Sequence, residues 1–103
     1  DKSISHRSLI LASQVTGKTR IHGLLEADDV MNTAKALGLL GVSIIKNPDN
    51  TWTVHGVGAG GLTESHAVLD MGNSGTAARL LMGLVTPYPF ATFFAGDESL
   101  SKR

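Results

Sequence analysis

Val42-Ser43-Ile44-Ile45-Lys46-Asn47-Pro48-Asp49-Asn50-Thr51-Trp52-Thr53-Val54-His55-Gly56-Val57 is the stretch that decides the fold class. Two runs rich in β-branched residues, 42–46 and 51–57, flank Asn47-Pro48-Asp49-Asn50. That tetrapeptide is a turn composition: proline presets φ, and asparagine and aspartate bond their own backbone two residues on. The segment predicts a β-hairpin. Trp52 and Val54 stand two residues apart on one face of its second strand, and Trp52 is expected to anchor the core.

Upstream of the hairpin the period changes. Residues 5–15 predict a helix carrying Leu9, Ile10, Leu11, Ala12 and Val15, with Ser3 or Ser5 as N-cap and Gly17 at its end. Residues 19–23 follow as a short strand. Asp28 or Asp29 then caps a second helix, with Val30, Ala34, Leu37 and Leu40 or Gly41 at helical spacing. Two acids at its start suit the positive end of the helix dipole. Downstream, a glycine-rich connection over 56–61 leads to a short apolar piece at 67–69. A third helix is predicted from about 74 to 85, where Ala77, Leu80, Leu81, Leu84 and Val85 recur at i, i+3, i+4, i+7 and i+8. Pro87 and Pro89 end it, and 90–95 reads as a last strand. The order α, β, α, β, β, β, α, β is mixed α/β (α+β), with no repeat and no linker between domains.

Composition narrows the function. The chain has 103 residues, 42% of them hydrophobic and 17% charged, which is a globular balance. Nine basic and nine acidic side chains cancel, which argues against a nucleic-acid or membrane-surface partner, since both normally meet a basic excess. The absence of cysteine removes disulfides, thiolate metal sites and thiol chemistry. No apolar run approaches the ~20 residues of a membrane span, and no signal-peptide pattern appears. The chain opens Asp1-Lys2-Ser3 and stops at Lys102-Arg103, which reads as a piece of something longer.

Two motifs mimic nucleotide sites. Gly56-Val57-Gly58-Ala59-Gly60-Gly61 fits G-x-G-x-x-G after a strand, but no helical stripe follows to receive a pyrophosphate. Gly17-Lys18-Thr19 resembles the end of a P-loop, but Ala12 occupies the upstream glycine position. The four histidines, His6, His22, His55 and His66, lack metal spacing and are expected at the surface or half-buried, with no metal site and no catalytic triad.

Two helix starts are different. Lys2 and Arg7 surround the start of the first helix, where the dipole is already positive. A cation there is disfavoured by up to roughly 1 kcal/mol unless an anion lies between. Backbone N–H groups, Ser3, Ser5 and two cations would make a phosphate or carboxylate receptor; the alternative is a plain serine cap with two solvated charges. The second start, Leu69-Asp70-Met71-Gly72-Asn73-Ser74-Gly75-Thr76-Ala77-Ala78-Arg79, is again small, polar and basic. Gly72 and Gly75 allow close backbone approach of a ligand, or serve turn geometry alone. The charged cluster 97–103 is compatible with the same anion but needs no function.

Asp1-Lys2-Ser3-Ile4-Ser5-His6-Arg7, then Leu69-Asp70-x-Gly72-Asn73-Ser74-Gly75-Thr76-x-x-Arg79, then Lys102-Arg103 resemble, in order and spacing, the first part of the 5-enolpyruvylshikimate-3-phosphate synthase family, the target of glyphosate. The resemblance runs the whole chain, including 23–30. The flanks 79–85 and 96–100 resemble the bacterial class noted for glyphosate tolerance. The family fold is an inside-out barrel of βαβαββ units, three in each of two domains, with the active site closing between the domains. On that pattern residues 1–103 are a partial N-terminal domain without internal boundary. One unit lacks its first strand, which would precede Asp1, and the start of a second unit follows.

The resemblance implies transfer of the enolpyruvyl group of phosphoenolpyruvate to the 5-hydroxyl of shikimate 3-phosphate, with release of phosphate, in chorismate and aromatic amino-acid biosynthesis. It implies no metal and no organic cofactor. The family's acid–base carboxylates lie in later parts of the chain, so no catalytic residue is expected here. The segment alone is expected to be inactive and at most a weak binder.

Carried over by position, Lys2, Ser3 and Arg7 would hold shikimate 3-phosphate, with Arg7 on its carboxylate. Lys2, Asn73, Gly75 and Arg103 would border phosphoenolpyruvate and the inhibitor glyphosate, and Arg79 would support them. Tolerant relatives often carry alanine where this chain has Gly75, so Gly75 predicts sensitivity while the flanks resemble the tolerant class. A monomer in the bacterial cytoplasm is expected, with a plastid as the other home. A UDP-N-acetylglucosamine enolpyruvyl transferase, whose opening motif differs from 2–7, and a standalone anion-binding α/β module are the competing readings.

Overall fold

A computed structural model describes residues 2–58, 60–65, 67–71, 75–90 and 92–95; the side chains of Ser3, Thr76 and Ala95 also lie outside the description. Among the described residues eight elements follow in the order α1 (Lys2–Ser13), β1 (Thr16–Ile21), α2 (Asp28–Leu39), β2 (Ser43–Lys46), β3 (Trp52–Val57), β4 (Leu69–Asp70), α3 (Gly75–Val85) and β5 (Phe94–Ala95). This is the expected mixed α/β order.

β2 and β3 form the predicted antiparallel hairpin, with Ile44 opposite Val54 and Lys46 opposite Trp52. Its turn places Asn50 at φ 68°, and Asp49 Oδ1 accepts from the Thr51 amide at 3.1 Å and its hydroxyl at 2.6 Å. β1 adds antiparallel to the other side of β3, giving the order β1-β3-β2. Cross-strand partners share a face, so Ile21, Trp52 and Lys46 line up, as do Thr19, Val54 and Ile44. α1 and α2 pack on the face carrying the fully buried Val54. Trp52 is only half-buried against that core, so the deepest anchor of the strand is Val54. A second, two-stranded sheet pairs β4 with β5 in parallel, a connection that α3 makes by crossing over. Leu9, Leu37, Leu40, Val54, Leu69, Met71 and Leu81 meet in one apolar core that joins both sheets.

Several boundaries differ from expectation. α1 spans Lys2–Ser13 rather than 5–15, and Ser5 is no cap: it lies inside the helix, where its hydroxyl accepts from the Leu25 amide at 3.0 Å. Gly17 sits within β1 at φ 104° rather than ending the helix. β1 begins at Thr16 because backbone pairing with Val57, Gly56 and His55 forms it, although its first side chains face water. The N-cap of α2 is Ala27, with extended backbone and no side-chain cap bond; Asp28 and Asp29 lie in the first turn. β5 is two residues long, shorter than the predicted 90–95, and Tyr88 and Phe90 instead stack with ring centroids 5.2 Å apart.

The glycine run earns its composition from packing. A Cβ on Gly56 would run into the carbonyl oxygens of Ala12 and Val15, so β3 reaches the end of α1 only without a side chain there. Among the described residues after Gly61 the chain continues without a helix to β4, and a dinucleotide site has nothing to rest on.

Candidate functional site

The structure converges on the beginnings of α1 and α2. Lys2, the first residue of α1, places Nζ 3.6 Å from Asp29 Oδ2, in the first turn of α2. One turn further along each helix, His6 Nδ1 lies 2.8 Å from Thr33 Oγ1. First turn meets first turn and second meets second, so the two helices run side by side in the same direction. Their positive dipole ends therefore point to one side of the molecule.

Asp29 offsets that concentration of positive charge. Its Oδ1 accepts from the Val30 amide at 3.1 Å, while Oδ2 faces both Lys2 Nζ and, at 3.8 Å, His6 Nε2. The cation at the start of α1 thus has an anion within the chain itself. The Lys2 side chain is nevertheless 60% exposed. An ion pair this open to water contributes at most about 1 kcal/mol, so the ammonium is held only weakly against Asp29. His6 is the opposite case. It is 1% exposed, and burial pushes its imidazole below the ordinary value, with Asp29 pulling upward and Lys2 adding a smaller depression.

The other expected residues are distributed unevenly. Arg7 is exposed on α1. Gly75 is the first residue of α3 and half-buried, and Arg79 is exposed on the next turn of the same helix. α3 packs against both α1 and α2. Asn73, Arg103 and the side chain of Ser3 lie outside the described residues, as do His66, Gly72, Ser74 and the cluster 97–103. Among the described residues no three His, Asp or Glu side chains gather as a metal site would require, and no helix is long and apolar enough to cross a membrane.

Two residues at this site escape the motif reading. Asp29 reads as a helix cap, and His6 as a surface or half-buried histidine. His6 is in fact fully buried, on the stripe it shares with Leu9 and Ser13 at i+3 and i+7. That spacing was the available signal, and a stripe with two polar members hides it.

A profile of EPSP synthase (3-phosphoshikimate 1-carboxyvinyltransferase) matches residues 1–103. The chain belongs to the EPSP synthase family. Similar EPSP synthases include the 3-phosphoshikimate 1-carboxyvinyltransferases of Novosphingobium aromaticivorans, 55% identical, and Bartonella henselae, 57% identical; in both the match covers all of this chain and 23% of the relative. Among solved structures, EPSP synthase from Acinetobacter baumannii superposes with a TM-score of 0.93 at 44% identity, covering the whole chain and 23% of that protein. The chain therefore spans about a quarter of the length of the EPSP synthases it matches. These relatives carry the 3-phosphoshikimate name, which does not favour the UDP-N-acetylglucosamine alternative.

Proposed function

We propose that residues 1–103 form one wall of the substrate site in an enzyme that transfers the enolpyruvyl group of phosphoenolpyruvate to the 5-hydroxyl of shikimate 3-phosphate and releases phosphate. The observation that carries this reading is the exposed Lys2 ammonium at the shared positive end of α1 and α2, in a chain that matches the EPSP synthase family along its whole length. Both substrates are phosphate-and-carboxylate anions, and preorganised cations and N–H groups are the donors that hold such charge. In this reading Lys2 touches both substrates, and Ser3 and Arg7 hold shikimate 3-phosphate. Asn73, Gly75 and Arg103 border phosphoenolpyruvate and the competing inhibitor glyphosate, and Arg79 supports them from α3.

The 5-hydroxyl oxygen adds to C2 of phosphoenolpyruvate, the carbon bearing the phosphate ester, giving up its proton while the methylene carbon gains one. The C–O bond to phosphate then breaks as the new methyl group loses a proton, restoring the double bond as the enol ether of the product. No acid–base residue for these steps is assigned within 1–103, and neither a metal nor an organic cofactor is invoked. The segment acts as part of an N-terminal domain, in a monomeric enzyme of the bacterial cytoplasm.

Titration of the chain with shikimate 3-phosphate, followed by amide NMR with and without glyphosate, tests the site. Shifts are expected at Lys2, Ser3 and Arg7, with a further change at Gly75 when glyphosate is added. A saturating titration that leaves Lys2, Ser3 and Arg7 unmoved would sink the assignment.

A further inference from the structure

Asp29 is held from three sides. The Val30 amide fixes Oδ1, while Lys2 Nζ and His6 Nε2 both face Oδ2. Of the two side chains, His6 is the buried one: the residue is 1% exposed, and its Nδ1 lies 2.8 Å from Thr33 Oγ1. Among the described residues the charged groups bearing on this imidazole are Asp29 from α2 and Lys2 from its own helix.

The carboxylate decides which ring nitrogen carries the proton. An Nε2 lone pair aimed at Oδ2 would set like partial charges against each other, whereas an Nε2–H directs its positive end at the carboxylate. With Nε2 protonated, Nδ1 is the acceptor and the Thr33 hydroxyl the donor, which uses the short 2.8 Å contact. The alternative target of that hydroxyl, the Asp29 carbonyl oxygen, is 3.4 Å away.

We infer that His6, as the neutral Nε2–H tautomer locked by Thr33, is a positioning residue that holds the Asp29 carboxylate where it steers the Lys2 ammonium toward the anionic substrate. This rests on the substrate role of Lys2 proposed above. His6 touches no substrate; it acts through Asp29. Loss of the imidazole leaves Asp29 Oδ2 with the exposed Lys2 as its only remaining partner of the two, so the pair drifts and ligand binding suffers before the chemistry does.

In the full-length enzyme with 15N-labelled histidine rings, long-range 1H–15N correlation of the His6 ring reads the tautomer directly. Protonated Nε2 is expected; protonated Nδ1 overturns the inference. In the full-length enzyme, His6→Leu is expected to raise the KM for phosphoenolpyruvate about tenfold with a smaller change in kcat, because misplacing a binding group weakens the ground-state complex. His6→Gln, whose amide N–H can reach toward Asp29, should recover most of that loss. Unchanged KM in His6→Leu, or no recovery in His6→Gln, overturns the inference. Should His6→Leu fail to fold, Thr33→Val removes only the hydroxyl on Nδ1 and is expected to raise the same KM about threefold; a wild-type KM there is equally fatal. Lys2→Ala separates the two levels. Wild-type kinetics in Lys2→Ala sink the substrate role of Lys2, whereas an impaired Lys2→Ala beside an unaffected His6→Leu sinks only the role of His6.

Discussion

His6 ties the stability of the fold to acidity. Burial lowers its pKa below the ordinary 6.5, and Asp29 only partly offsets this. Between the folded value and 6.5 the unfolded chain binds more protons than the folded one, so stability falls as pH is lowered through that window and is fully retained above it. Urea midpoints measured from pH 7.5 down to pH 5 should therefore decline, and His6→Gln should flatten the decline. Equal slopes for the two proteins would show that His6 does not carry it. The residue itself is present in the motif Lys2-Ser3-Ile4-Ser5-His6-Arg7, but its role is not legible there. A histidine between two serines and an arginine looks solvated until α2 is laid against it.

At the scale of elements, legibility followed the source of the stabilising energy. α3 was readable because its stripe Ala77, Leu81 and Val85 is uniformly apolar and buried. The start of α1 was not, because its buried face includes Ser5 and His6, whose hydrogen bonds rather than hydropathy fix them. The first half of β1 was likewise hidden: Thr16, Gly17 and Lys18 form a strand through their partners in β3, which no local pattern encodes. Gly56 is the position where these elements depend on one another. Gly56→Ala should destabilise the chain by about 3 kcal/mol, since the obstacle is helix-end backbone that cannot rotate away. Chemical denaturation checks this, and a change below about 0.5 kcal/mol would mean that α1 can retreat from the sheet.

Across the whole molecule, one core serves both sheets, which predicts cooperative unfolding. Leu37→Ala in α2 and Leu81→Ala in α3 each remove a fully buried side chain, and each should cost about 3 kcal/mol. Both losses should appear as a shift of one urea transition; a second transition in Leu81→Ala would instead mark the β4-α3-β5 part as an independent unit. Net charge zero argues against a nucleic-acid or membrane-surface partner, yet it conceals a local arrangement: two parallel helices bring their positive ends together, and one carboxylate stands between an exposed ammonium and a buried imidazole. The two neighbours of Asp29 answer to different solution variables. Dissolved salt, whose screening length is about 8 Å at physiological ionic strength, reaches the Lys2 side and not the His6 side. On the roles proposed for Lys2 and His6, ionic strength would loosen the ammonium while the imidazole keeps the carboxylate in place, so one anion could replace another without a change in the shape of the site.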